Sequence, residues 1–136
     1  MRRSAFRGGE SDLCWQCMTR PRLADAVRCL SCLAAARRGA KRHRERTKRL
    51  IVDHYGGACA CCGETLVDFL TLDHVAGDGA RHRRGLFGVR SGGCVFYRWV
   101  IKNNFPDGLQ VLCMNCNMSK HFNGGKCVHE LMRVTH

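Results

Sequence analysis

Two adjacent polar residues, Asp73 and His74, lie between two pairs of cysteines whose spacing is that of metal ligands. Each pair is a C-x-x-C motif, and together the pairs supply four thiols: Cys59, Cys62, Cys113 and Cys116. Four thiolates at this spacing fit a closed tetrahedral zinc site, which would bring the ends of the intervening segment together. Asn117 follows the last cysteine directly, so zinc binding would bring a carboxylate, an imidazole and an amide close to one another.

These three side chains are the groups that hydrolysis of a phosphodiester requires. His74 is the candidate general base, because an imidazole has its unperturbed pKa near neutrality. Asp73 and Asn117 offer oxygen ligands of the kind that Mg²⁺ and Mn²⁺ prefer. His121 lies one helical turn after Asn117 and would face the same way, as a third metal ligand or a phosphate contact. Neighbouring residues on a strand point to opposite sides, so a bend or bulge would be required for Asp73 and His74 to serve one site.

A second group of four cysteines stands near the N-terminus: Cys14, Cys17, Cys29 and Cys32. Two C-x-x-C motifs with 11 residues between them predict a compact four-cysteine zinc ribbon over residues 14–32. Two unrelated cysteine pairs are the alternative. If both four-cysteine sites close, the chain binds two structural zinc ions.

Three more potential ligands have no assigned site. Cys61 lies inside the first central motif and could compete for zinc, although Cys59 with Cys62 gives the better spacing. Cys127 and His129 form a C-x-H pair that could belong to a further metal site, but the sequence shows no two further ligands for it. A fourth residue, Cys94, is expected in the core.

Cysteine usage and hydropathy indicate the compartment. The 11 cysteines of the 136-residue chain fall largely into C-x-x-C motifs, which favours reduced thiols and metal over disulfides. No charged segment leads into an apolar stretch at the N-terminus, and no run of about 18 apolar residues occurs. These features predict a cytoplasmic protein that is not secreted and has no membrane partner.

The charge balance favours a nucleic-acid partner. Lys and Arg number 23 against 11 Asp and Glu, which gives a formal net charge of +12. Residues 33–57 predict a basic helix that ends at Gly56-Gly57 and carries cations on one face: Arg38, Arg42, Arg46 and Arg49. A phosphate backbone along that face would relieve their mutual repulsion. The alternative is a solvated linker helix. Near the end of this helix, Leu50, Ile51 and Tyr55 form an apolar face that should dock on the next module.

The remaining chain, residues 58–136, predicts a second module. A strand from Leu66 should lead into Asp73-His74, and a short strand over 109–112 should deliver the second cysteine motif. Between them we expect a Gly-rich loop over 76–93 and then a helix over 94–103. A last helix should begin near residue 117. Residues 1–13 predict a mobile basic tail.

The loop and the last helix add further candidate DNA contacts: Arg81, His82, Arg83, Arg84 and Lys120. For His82 a solvated position in the loop is the alternative.

The module resembles the HNH endonucleases with their ββα-metal (His-Me finger) fold, most of all those of bacteriophages, including free-standing homing-type enzymes and junction-resolving members. The matching segments span about residues 41–130 and comprise the first cysteine motif, Leu72-Asp73-His74, Tyr97-Arg98-Trp99, Asn103-Asn104-Phe105-Pro106, Leu109-Gln-Val-Leu-Cys113, Cys116-Asn117 and Lys120. The resemblance implies that His74 is the general base, that Asp73 and Asn117 bind the catalytic divalent metal, and that the four central cysteines bind structural zinc.

Two features depart from the family pattern. The family's middle Asn, which orients the loop that carries the base, usually precedes the Leu-Gln of the second strand, where this chain has Gly108. Asn103 or Asn104 is expected to take that role, if any residue does. The interval from Cys62 to Cys113 is also long, which suggests an inserted element that serves the substrate.

We therefore expect a small, zinc-stabilised α+β protein: a tail (1–13), a four-cysteine ribbon (14–32), a basic DNA-binding helix (33–57) and an HNH nuclease domain (58–136). The expected activity is Mg²⁺- or Mn²⁺-dependent hydrolysis of double-stranded DNA, in the host cytoplasm if a phage encodes the chain. One chain should nick, whereas a double-strand break needs a homodimer or two events. The alternatives are a non-catalytic zinc protein that binds DNA or RNA, and a zinc adaptor that binds proteins.

Overall fold

A computed structural model describes residues 12–88 and 93–133 of the chain. The described residues form five α-helices, a 3-10 turn and one two-stranded sheet, which is a small α+β fold as the sequence predicted. In chain order the elements are α1 (Leu30–His54), the 3-10 turn Val67–Phe69, β1 (Leu70–His74), α2 (Gly79–Phe87), α3 (Gly93–Lys102), β2 (Leu109–Cys113), α4 (Met114–Phe122) and α5 (Val128–Arg133).

The chain divides into two compact units, one ending at His43 and the other beginning at Arg44, so the division falls inside α1. The predicted basic tail lies outside the described residues except for positions 12 and 13. Among the described residues, no helix combines the length and apolar character needed to cross a membrane.

Helix α1 begins earlier than expected, at Leu30, so Cys32 lies in its first turn. It ends before Gly56 and Gly57, as predicted. Both glycines have positive φ (103° and 73°), and the N–H of Gly57 donates to the carbonyl of Val52 over 2.8 Å, which closes the helix end. The buried residues of its last turns are Ile51 and Val52. The prediction that Leu50 docks was wrong, since its side chain is half exposed.

Strands β1 and β2 pair antiparallel in an unbroken register from Leu70 opposite Cys113 to His74 opposite Leu109. Burial alternates along β1, so Leu70, Leu72 and His74 share the buried face. Asp73 lies on the other face, opposite Gln110. The register contains no bulge, so the two adjacent site residues leave the strand on opposite sides.

The segment between the two strands departs from the prediction. Residues 76–93 were expected to be a Gly-rich loop, but they contain helix α2. The loop was predicted because glycine usually interrupts helices. In the structure Gly79 is the first residue of α2, and Gly85 in its interior costs only a modest amount of helix stability. Helix α3 agrees closely with the predicted helix over 94–103, but Cys94, expected in the core, is exposed.

The core lies in the second unit and joins apolar side chains to cysteines. Its members come from the end of α1, both strands, α3 and the cysteine-bearing segments: Ile51, Val52, Cys59, Cys61, Leu70, Leu72, Phe96, Val100, Leu109, Val111, Leu112, Cys113, Cys116 and Cys127. Tyr55 packs on this core, and its hydroxyl donates to the carbonyl of Pro106 over 2.8 Å. Since five of these fourteen residues are cysteines, the core is partly made of potential metal ligands.

Candidate functional site

The four central cysteines predicted to bind zinc do converge. Their sulfur atoms all lie within 4.8 Å of one another: Cys59, Cys62, Cys113 and Cys116. The sulfur of Cys113, the last residue of β2, also accepts a hydrogen bond from the backbone N–H of Cys116 over 3.4 Å and so caps α4. These residues could hold a zinc ion that ties the segment before β1 to the β2–α4 junction.

The N-terminal group of Cys14, Cys17, Cys29 and Cys32 is equally compact, with all four sulfurs within 4.8 Å. Without a cation these thiols ionise unequally. Hydrogen bonds from Thr19 lower the pKa of Cys17 to about 6, whereas burial raises the pKa of Cys32 to about 12. A bound Zn²⁺ would remove this difference because it stabilises every coordinating thiolate. The group therefore fits a closed zinc site.

Lys120 is the residue that joins α4 to the end of β1. Its ammonium is buried and donates to the Asp73 carboxylate over 2.6 Å, to the His74 carbonyl over 2.7 Å and to the Val75 carbonyl over 3.0 Å. Three acceptors match the three N–H groups of an ammonium. The prediction that Lys120 contacts DNA is therefore corrected: its donors are used inside the protein, and it positions the strand end.

Asp73 opens into a cleft of about 340 Å³ that Asn117, His121, Gly124 and Gly125 also line. The structure thus brings together the predicted carboxylate and amide, with the predicted imidazole of His121 beside them. The two hydrogen bonds that the carboxylate accepts, from Lys120 and from Gln110 (2.9 Å), both end on Oδ2. Oδ1 takes part in neither.

Asp73 and Asn117 could hold a hard divalent cation. They offer a carboxylate oxygen and an amide oxygen in an open cleft, and Mg²⁺ characteristically uses few protein ligands and keeps its remaining ligands as water. The Gln110 contact was not predicted from the sequence. It follows from the register, because Gln110 is the cross-strand partner of Asp73 and shares its face of the sheet.

His74 leaves β1 on the opposite face from Asp73 and is held by two neighbouring aromatic rings. The residue is 8 % exposed, and its ring stacks on Phe96 with 5.2 Å between the ring centroids. Its Nε2 lies 2.8 Å from Nδ1 of His82. Burial lowers the pKa of His74, and the neighbouring His82 lowers it further. The imidazole is therefore neutral at pH 7, which is the form able to accept a proton.

The side chain within hydrogen-bond distance of the His74 ring is His82, in α2. Asn103, suggested as the residue that orients the base, instead donates its side-chain amide to the carbonyl of Trp99 over 2.8 Å at the end of α3. Asn104 has a positive φ of 55° at the turn that follows α3. His82 contacts His74 directly, and its own ring meets Trp99 edge-on at 5.2 Å. His82 was predicted to contact phosphate because it lies among arginines. Its contact with His74, eight residues earlier, could not be predicted without helix α2.

The predicted cationic contacts are largely on the surface. The four arginines of the helix face, Arg38, Arg42, Arg46 and Arg49, are exposed on α1. In α2, Arg81 and Arg84 are exposed and Arg83 is half-buried. Arg81 lies 3.6 Å from the carboxylate of Asp78 in an exposed pair, which contributes little to stability.

Comparisons with known proteins give no relative: no family model, no curated protein and no solved structure matches this chain.

The close approach of Gly79 to His74 gives a stability test. A Cβ on Gly79 would lie 2.7 Å from Nδ1 of His74, whereas a Cβ on Gly85 of the same helix would meet no atom within 4 Å. We predict that Gly79→Ala lowers the free energy of unfolding by about 1–3 kcal/mol, because the packed ring must shift. Gly85→Ala is the matched control and should raise it by about 0.5–1 kcal/mol.

Urea unfolding of the zinc-loaded variants measures both changes. The environment assigned to His74 would be wrong if Gly79→Ala were as stable as Gly85→Ala.

Proposed function

We propose that this protein is a metal-dependent DNA endonuclease that hydrolyses a phosphodiester bond, of the HNH type that its motifs resemble. The single observation that supports this most strongly is the arrangement at the end of β1. Asp73 faces a cleft shared with Asn117, and His74 leaves the same strand end on the other side with a neutral imidazole. The reaction needs ligands for a metal ion and a general base. Asp73 and Asn117 offer the ligands, and His74, next to Asp73 in the sequence, offers the base.

The opposite orientation of the two residues suits the geometry of phosphoryl transfer. In an in-line displacement the attacking water and the leaving oxygen lie on opposite sides of the phosphorus. A phosphate at the strand end would meet the imidazole pair on one side and the Asp73 cleft on the other. The bend or bulge expected from the sequence is absent from the β1–β2 register, and this arrangement does not require one.

The proposed base, His74, is held by a second imidazole. His74 is buried, and its Nε2 shares a hydrogen bond with Nδ1 of the half-buried His82. In the proposed reaction His74 takes the proton from the attacking water, and the contact with His82 fixes the ring of His74. Stacking of His74 on Phe96 restricts the ring further, so the pair is held in position before substrate binds.

Asp73 and Asn117 would hold a divalent cation such as Mg²⁺ or Mn²⁺, which when bound stabilises negative charge on the phosphate and on the leaving 3′-oxygen. Lys120 keeps the Asp73 carboxylate in place by bonding Oδ2, and His121 lies at the edge of the same cleft as a candidate phosphate contact. The cations of α1 and α2 would bind the DNA backbone without reading its sequence.

A plasmid-nicking assay tests the base. With Mg²⁺ present, we expect the zinc-loaded protein to convert supercoiled plasmid to the open circle, and His74→Ala to slow this by about 10²–10⁴-fold, the usual contribution of a general base. Gly85→Ala, which changes the adjacent helix without touching His74, is the control and should cleave at the parent rate. Equal rates for the parent and His74→Ala would remove the proposed mechanism.

The dependence of DNA affinity on salt concentration tests whether DNA is the partner. It also distinguishes the proposed nuclease from a zinc adaptor that binds proteins. If each arginine of the α1 face contacts one phosphate, changing all four to Gln should flatten the slope of log K against log salt by about 3.6. A control with the same loss of four charges changes exposed cations elsewhere to Gln: Arg22, Arg98, Lys102 and Lys126.

The control variant should retain most of the parent slope. A parent slope near zero would favour the adaptor, and equal slopes in the two variants would exclude the α1 face as the DNA-binding surface.

A further inference from the structure

A third group of potential metal ligands lies beside the central four-cysteine site. Its ligand atoms all fall within 4.8 Å of one another: Cys61, Cys116, Cys127 and His129. Cys61, Cys116 and Cys127 are buried, and all three sulfurs surround one nitrogen, Nδ1 of His129. The isolated C-x-H pair of the sequence thus acquires the two ligands it lacked.

The distances have the size that a tetrahedral zinc site imposes. With Zn–S of about 2.3 Å and Zn–N of about 2.05 Å, tetrahedral angles separate a sulfur from a nitrogen by about 3.6 Å and two sulfurs by about 3.8 Å. Nδ1 of His129 lies 3.7 Å from the sulfur of Cys61, 3.4 Å from that of Cys116 and 3.6 Å from that of Cys127. In the central site, the sulfurs of Cys62 and Cys113 are 3.7 Å apart.

Cys116 belongs to both groups. Two four-coordinate ions that share one ligand need seven protein ligands, and the two groups together contain seven residues. A thiolate sulfur has enough lone pairs to bind two cations at once. The alternative, in which Cys116 serves one ion only, leaves the other ion with three protein ligands and an open position.

We propose that the second unit holds a two-zinc cluster in which the thiolate of Cys116 bridges the ions. One zinc binds Cys59, Cys62 and Cys113, the other binds Cys61, Cys127 and His129, and both bind Cys116. Six thiolates carry six negative charges against four positive charges on the ions, so the cluster keeps two negative charges within a chain of net charge +12. With the N-terminal site, the full chain binds three zinc ions rather than the two expected from its C-x-x-C motifs.

The second zinc would fix the segment after α4. Gly124 and Gly125, which line the Asp73 cleft, lie between α4 and Cys127, and both have positive φ (62° and 98°). Cys127 and His129 would bind the second zinc at the C-terminal end of this segment, where Arg133 also donates to the Cys61 carbonyl over 2.9 Å. Cys116 would bind the same zinc from α4, the helix that precedes the segment. The cluster therefore holds one rim of the cleft, whatever reaction the cleft serves.

Cadmium NMR on the full chain tests the bridge, because ¹¹³Cd replaces zinc in thiolate sites and two ¹¹³Cd nuclei that share a sulfur couple through it. Elemental analysis of the zinc form should give three ions per chain. The ¹¹³Cd form should give three resonances, two of which share a correlation cross peak, while the N-terminal site gives a singlet. Two ions per chain, or three resonances without a cross peak, would overturn the bridged cluster.

Cysteine variants assign the ligands. Cys127→Ser should lower the count to two ions and turn the remaining central ¹¹³Cd resonance into a singlet. Cys94→Ser is the matched control, since Cys94 is an exposed cysteine outside all three groups, and it should keep three ions and the cross peak. His129→Ala gives a second test that leaves every thiol in place. Retention of three ions with the cross peak in both Cys127→Ser and His129→Ala would contradict the assignment.

Discussion

One buried cation, the ammonium of Lys120, determines the geometry of the candidate site. Removing a charge from water is costly, and the structure offsets the cost with one carboxylate and two carbonyl acceptors at the end of β1. The same contacts fix Asp73 toward the cleft and hold the backbone of His74, so one side chain of α4 orients both halves of the site. Loss of Lys120 would leave these three acceptors, of which the His74 carbonyl lies in a buried contact, without this donor.

The cysteine groups explain how so small a chain can hold a polar strand end in place. The second unit has few large apolar side chains in its core, and cysteines occupy much of the remaining interior. Metal binding would supply the folding free energy that a larger apolar core supplies elsewhere. Because the ligands come from the segment before β1, from β2, from α4 and from the residues before and within α5, the ions would connect the elements that surround the cleft.

Much of this could be predicted from the sequence, because cysteine spacing and strand periodicity are local signals. The two four-cysteine groups and helix α3 are present as expected. The first strand ends in Asp73-His74 as predicted, but it begins at Leu70 rather than at Leu66, because a 3-10 turn occupies Val67–Phe69. The features that could not be predicted depend on long-range contacts. Helix α2 was hidden by its glycines, the His74–His82 pair requires that helix, and the burial of Lys120 requires the approach of α4 to β1. Cys61 and His129 are 68 residues apart, and only the fold shows that they meet.

The proposed function requires a divalent cation in the Asp73 cleft. Mn²⁺ binding to the zinc-loaded protein tests it most directly, because free Mn²⁺ gives a strong electron paramagnetic resonance signal that decreases on binding. We expect one Mn²⁺ per chain in the parent, and at least about tenfold weaker binding in a folded Asp73→Asn variant, which loses one charged ligand (about 1.4 kcal/mol). Equal affinity in the two proteins, or no binding by the parent, would contradict the proposed function.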